Sequence, residues 1–140
     1  MVDLLDVNVW LALNVPDHVH HKRSLKYWRE EAGTRVISCR TTELALLRLL
    51  TSAHAVGSGA LHGTAAWSIA EEWRSRGVAV EAEPTGVDDL LQAWAGMLDI
   101  RGRLWTDAYL AAFAVAGGYR LVSFESDFHR FPHLHWLHLA

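Results

Sequence analysis

Residues 2–14 read VDLLDVNVWLALN, and the change of pattern inside that run sets how the whole chain is built. Val2–Leu5 is short and mostly apolar and stops at Asp6, the reading of a buried strand. Val7–Asn14 stays apolar without the alternation of a half-exposed strand, which predicts a short helix ended before Pro16. A buried strand, an acid and then a helix is a pattern that recurs along the rest of the sequence.

Working outward, Val19–Glu31 interleaves Val19, Leu25, Tyr27 and Trp28 with Lys22, Arg23, Lys26, Arg29 and Glu30, an amphipathic helix closed by Gly33. Arg35–Cys39 predicts a second strand, and Glu43–Thr51 a leucine-rich helix capped by Thr41 or Thr42. Residues 53–64, AHAVGSGALHGT, contain three glycines and no period, so a mobile loop is expected there. Helices follow over Ala65–Arg76, Thr85–Leu98 and Asp107–Ala116, the last capped by Thr106 and ended by Gly117–Gly118. Strands are expected at Val78–Glu83, Leu121–Phe124 and Leu134–Leu139. Strands alternating with helices argue for one α/β domain over residues 1–140, with a mainly parallel central sheet covered on both faces.

Composition narrows the possible functions. With 140 residues, 51% hydrophobic and 21% charged, the chain can bury one core and is not intrinsically disordered. Its apolar stretches are too short to span a bilayer, so no membrane role is expected. MVDLLD has no basic region leading into a hydrophobic one, and Cys39 is the single cysteine; both point to a cytoplasmic protein without disulfides. A net charge of −3 gives no global attraction to nucleic acid, so a nucleic-acid enzyme built on this chain needs a cation to offset the phosphates.

Most of the sixteen acids sit on polar helix faces, but Asp6, Glu43, Asp107 and the pair Glu125 and Asp127 do not. Each has a structural explanation. An acid in a first helical turn gains about 0.3–1 kcal/mol from the helix dipole, and Asp6 or Asp127 can cap a turn. Their shared location changes the reading: strand C-terminal ends and the starts of the following helices lie on one edge of a parallel sheet, and all four positions map there. Carboxylates converging on one edge repel unless protonated or neutralised. An all-oxygen set favours Mg²⁺ or Mn²⁺, and such a site suits metal-assisted phosphodiester hydrolysis.

At these residues the sequence resembles the PIN-domain ribonucleases, and within them the VapC-type toxins of bacterial toxin–antitoxin pairs. The matching stretches are LLDVNVWLAL with PDHVHH after it, TTELALLRLL, LWTDAYLAAFA and LVSFESDFHRFP, in the family's order and from end to end of the chain. The resemblance implies a three-layer α/β/α PIN-like fold and a Mg²⁺- or Mn²⁺-dependent endoribonuclease cutting tRNA or rRNA. It implies a cognate VapB-type antitoxin and a homodimer as well. Asp6, Glu43 and Asp107 align with the family's signature acids. The usual T-F-D then x-x-F pattern puts the fourth acid on Glu125, with Ser123 for threonine; Asp127, two residues on, shares or takes over that role. Metal ligands are therefore expected among Asp6, Asp107, Glu125 and Asp127, with Glu43 completing the cluster or positioning the attacking water. Asn8, Thr106 and Ser123 are supporting polar positions.

Other signals are weaker. Nine histidines carry no zinc spacing, and His133, His135 and His138 are read as structural or surface positions on a last strand. Among seven tryptophans, Trp10 and Trp105 flank the acidic edge and are candidates for stacking on RNA bases, with Arg101 and Arg103 as phosphate contacts. A phosphoaspartyl receiver or phosphatase would need a late lysine, and the only lysines are Lys22 and Lys26. A P-loop would need G-K-[ST] after a strand, which is absent. The alternative that survives is a catalytically weak or inactive PIN-like domain that binds RNA or protein, favoured by glutamate rather than aspartate at position 125.

Overall fold

A computed structural model describes residues 1–140. Five strands, β1 (Val2–Leu5), β2 (Arg35–Cys39), β3 (Ala79–Glu81), β4 (Arg120–Ser123) and β5 (Trp136–His138), form one sheet in the order β3-β2-β1-β4-β5, every pair parallel. Seven helices cover it: α1 (Val7–Asn14), α2 (His21–Lys26, extended by a π turn to Glu31), α3 (Arg40–Leu50), α4 (Ala53–Val56), α5 (Gly63–Ser75), α6 (Val87–Met97) and α7 (Leu104–Gly117).

Strand alternation places the layers. Leu4, Ile37 and Leu121 face a core built with Val87 and Trp94 of α6 and Phe113 of α7. Leu5, Val36 and Val122 face the opposite core, with Val9 of α1, Tyr27, Leu46 of α3 and Ala66 of α5. Successive residues of β1 thus bury themselves on opposite faces, as its continuous apolar run requires. Helix α7 ends where Gly118 adopts φ 70° and its N–H returns to the carbonyls of Ala114 and Val115, a left-handed cap that glycine supplies without strain. Gly33 is needed for a different reason: a Cβ there would collide with the Met1 carbonyl oxygen.

The strand order has a functional consequence. The chain builds β1, β2 and β3 outward in one direction, then returns to lay β4 on the other side of β1. A parallel sheet opens a crevice beyond the strand C-termini at such a reversal. Here that crevice lies between the ends of β1 and β4, where Leu5 is paired with Val122 and the Asp6 amide donates to the Val122 carbonyl at 2.9 Å.

Several boundaries differ from the sequence reading. Helix α3 begins at Arg40 directly after Cys39, so Thr41 and Thr42 are first-turn residues and neither caps it; Thr42 is buried near the Cys39 sulfur. Helix α7 likewise starts at Leu104, which puts Thr106 inside the helix. Residues 53–64 contain α4 and a 3₁₀ turn, Gly57–Gly59, before α5 begins. His133 and His135 lie before β5, and His133 takes a positive φ of 65°, so the expected strand is confined to Trp136–His138.

Candidate active site at the crevice between β1 and β4

Asp6 occupies the first position after β1 and caps α1. Its Oδ1 accepts from the Val7 amide at 2.7 Å, while Oδ2 accepts from the Ser123 hydroxyl at 2.7 Å and from Asn8 Nδ2 at 3.3 Å. Asn8 Nδ2 also donates to Ser123 Oγ at 3.1 Å, and its Oδ1 accepts from the Phe124 amide at 3.2 Å. The Glu125 amide donates to Ser123 Oγ at 2.9 Å. Asn8 and Ser123 therefore fasten the turn after β4 to the start of α1 and fix the Asp6 carboxylate in the crevice.

The electrostatics of the crevice are those of like charges held together. Burial raises the pKa of Asp6 above the ordinary carboxylate range, against the lowering effect of hydrogen bonds from Ser123 and Val7, and nearby Glu125 raises it further. Asp107, in the first turn of α7, is pushed up to about 6, first by burial and then by the charges of Asp6, Glu125 and Asp127; Arg103 pulls the other way. Three of the other acids singled out in the sequence, Asp6, Glu125 and Asp127, therefore bear on Asp107 here. Glu125 is exposed, and Asp127 opens a 3₁₀ turn, Asp127–Arg130, with Arg130 Nη2 3.5 Å from its Oδ1.

Glu43 stands apart. It is only 6% exposed, yet Oε1 accepts from Arg40 and Oε2 from Arg74 Nη2 at 2.6 Å, so arginines occupy both oxygens. Sequence reading missed both arginines. Arg40 lies three residues before Glu43 on the same helix, a legible ion-pair spacing, whereas nothing local links Arg74 to it.

The aromatic and basic expectations divide. Trp10 is 2% exposed and packs against Trp73 and Trp28, with ring centroids 5.1 and 6.4 Å away, so it is a core residue and offers no face to RNA. Trp105 and Thr106 are exposed beside Asp107. Arg103 is close enough to Asp107 to lower its pKa, and Arg101 is paired with Asp99 at 2.7 Å in solvent. The histidines serve other contacts: His21 Nδ1 lies 2.7 Å from the Ala12 carbonyl, His20 stacks on Phe124 at 4.3 Å, and His138 Nε2 lies 3.1 Å from the Phe124 carbonyl.

No three Asp, Glu, His or Cys side chains already stand in a metal-holding group. The donor set nevertheless fits a hard divalent cation: carboxylates alone, two with raised pKa values, gathered without an intervening lysine. A 2+ charge held between them would offset the like-charge repulsion that adds to burial in raising Asp107.

Comparisons with known proteins agree with this geometry. Residues 4–134 match the family model described as PIN domain. The chain is 39% identical over 131 residues to Ribonuclease VapC41 of Mycobacterium tuberculosis strain H37Rv, spanning 89% of this chain and 90% of that protein. It is 33% identical over 138 residues to Ribonuclease VapC37 of the same strain, spanning 95% and 94%. Among solved structures, VapBC-1 from nontypeable Haemophilus influenzae superposes with a TM-score of 0.72 at 17% identity, over 99% and 98% of the two chains. M. tuberculosis VapC20, described as a sarcin-ricin loop cleaving toxin, superposes with a TM-score of 0.69 at 20% identity, over 91% and 92%. The chain belongs to the PIN-domain family and, within it, to the VapC-type ribonuclease toxins.

Proposed function

We propose that the protein is a Mg²⁺- or Mn²⁺-dependent endoribonuclease whose metal-holding residues are Asp6, Asp107, Glu125 and Asp127. The observation that carries this reading is the convergence of charge on Asp107: it is raised to about 6 first by burial and then by the other three acids, an arrangement that costs stability unless a cation offsets it. When bound, a divalent cation supplies Lewis acidity and an activated water for attack on phosphorus. The chain's own residues do the rest. Asn8 and Ser123 hold Asp6 in one orientation, as second-layer partners of a ligand do. Asp107 enters from the start of α7, and Glu125 with Asp127 closes the crevice from the β4 side. Trp105 and Arg103, beside Asp107, line the approach of a single strand, one by stacking and the other by charge.

The substrate class is structured cellular RNA, tRNA or rRNA, supported by the ribonuclease relatives and by the sarcin-ricin loop cleavage ascribed to VapC20. A VapB-type antitoxin and a homodimer complete the proposal; support for the antitoxin comes from structural neighbours that are VapBC complexes, the Haemophilus influenzae VapBC-1 among them. No helix is long and apolar enough to cross a membrane, and the proposed setting is the cytoplasm. The test is incubation of total cellular RNA with the purified, antitoxin-free protein in Mg²⁺, in EDTA, and as Asp6→Asn. Discrete fragments that require both metal and Asp6 are the expected result. A folded protein that cuts nothing in any condition would instead mark a binding domain.

A further inference from the structure

Both carboxylate oxygens of Glu43 are taken by arginines, Arg40 and Arg74, so its immediate surroundings are cationic. One carboxylate between two guanidiniums leaves a positive charge locally uncompensated. That charge is not buried: the Arg40 side chain is 61% exposed, and Glu43 is its one acidic partner. Arg40 is the first residue after β2, on the edge where β1 ends in Asp6, and β2 is the strand next to β1. The far end of the link is fixed too, since the Arg74 guanidinium sits 5.0 Å over the Trp67 ring on α5 while it holds Glu43.

We propose that Arg40, braced by Glu43, contacts a backbone phosphate of the RNA that crosses the β1–β4 crevice, with Glu43 as its positioning residue. The inference rests on the ribonuclease reading. RNA approaching an edge lined by Asp6, Asp107, Glu125 and Asp127 on a chain of net charge −3 meets repulsion on either side of the scissile bond. A guanidinium anchored beside that edge offsets it. Arg40 uses one of its five N–H donors on Glu43, and the others remain for a forked contact with phosphate. The buried carboxylate removes rotamer freedom from a long side chain before RNA arrives, which lowers the ordering cost of the contact. The second family acid of this chain thereby acts on substrate through an arginine, apart from the metal.

The experiment compares wild type, Arg40→Ala, Arg40→Lys and Glu43→Gln, with Asp6→Asn as reference. A short fluorescein-labelled single-stranded RNA is titrated in EDTA over a series of NaCl concentrations. KM and kcat for the same RNA are then measured in Mg²⁺, and melting is recorded with and without Mn²⁺. Arg40→Ala is expected to weaken binding by about tenfold, to flatten the log K against log salt slope by about 0.7, and to raise KM with kcat little changed. Arg40→Lys recovers the salt slope but only part of the affinity. Glu43→Gln weakens binding yet keeps the Mn²⁺-induced rise in melting temperature that Asp6→Asn loses. Arg40→Ala binding RNA with wild-type affinity and slope would overturn the inference and leave the ribonuclease reading intact. Loss of the Mn²⁺ response in a folded Glu43→Gln would do the same, by returning Glu43 to the metal site. Wild-type protein that neither binds nor cuts RNA would overturn both.

Discussion

Asp3 and Asp6 lie three residues apart along β1 and its exit, both essentially buried, and their surroundings are opposite in character. Asp3 is 0% exposed and fully matched: Tyr27 donates its hydroxyl at 2.6 Å, the Gly33 amide donates at 2.8 Å, and Arg120 donates through Nε and Nη2 at 2.8 Å each. Asp6 is 6% exposed, its hydrogen bonds come from neutral groups alone, and the charges nearest it are other acids. One carboxylate is completed by the protein and ties β1 to β4 and to the turn after the π-helical segment. The other is left with an electrostatic debt. Burial by itself does not mark a functional acid; burial without an opposite charge does.

The comparison is broken most directly at Asp3. Asp3→Ala leaves Arg120 and the Tyr27 hydroxyl without their partner, and is expected to destabilise the fold by about 3–5 kcal/mol in chemical denaturation. Asp6→Asn in metal-free buffer should cost little or be mildly stabilising, since it removes a charge among like charges. Equal losses for the two would show that both acids are architectural.

Asp107 sharpens the same contrast through pH. Its pKa in the folded protein, about 6, lies above the ordinary 3.8, so the folded state holds the proton more tightly than the unfolded chain. The associated stability is full below about pH 3.8 and is lost as pH climbs through about 6. That displacement corresponds to about 3 kcal/mol at most, and partial exposure reduces it to about 1–2 kcal/mol. Asp107→Asn should therefore melt higher than wild type at pH 8 without metal, with the difference closing by pH 4. A difference independent of pH would remove the charge explanation.

An effect of similar size belongs to the supporting hydroxyl. Ser123→Ala removes a buried donor to Asp6 and the acceptor for the Glu125 amide, for an expected loss of about 1–3 kcal/mol of stability. Its cleavage should fall with the melting temperature held well above the assay temperature, which separates disordered geometry from unfolding.

How far the sequence revealed this follows from how local each signal is. Val2–Leu5 and Arg35–Cys39 were legible to the residue because each is a short apolar run buried on both faces. The acids were legible because each follows a strand or opens a helix. The starts of α3 and α7 were not: Thr41, Thr42 and Thr106 have the chemistry of caps, yet the backbone turns helical before reaching them. Trp10 was misplaced because a tryptophan next to an acid reads alike whether it faces solvent or Trp28 and Trp73, which arrive from distant segments. For the same reason no local pattern pairs Glu43 with Arg74, or Asp3 with Arg120, 117 positions away.

Everything proposed for the chemistry depends on a cation site centred on Asp6, in the crevice between β1 and β4. Thermal melting of wild type and Asp6→Asn, each with Mn²⁺ and with EDTA, tests it without any knowledge of the RNA. Mn²⁺ is expected to raise the wild-type melting temperature, as about 2.7 kcal/mol of stabilisation at roughly a hundredfold excess over Kd requires, and to leave Asp6→Asn nearly unmoved. Equal shifts in the two proteins would contradict a site built on Asp6.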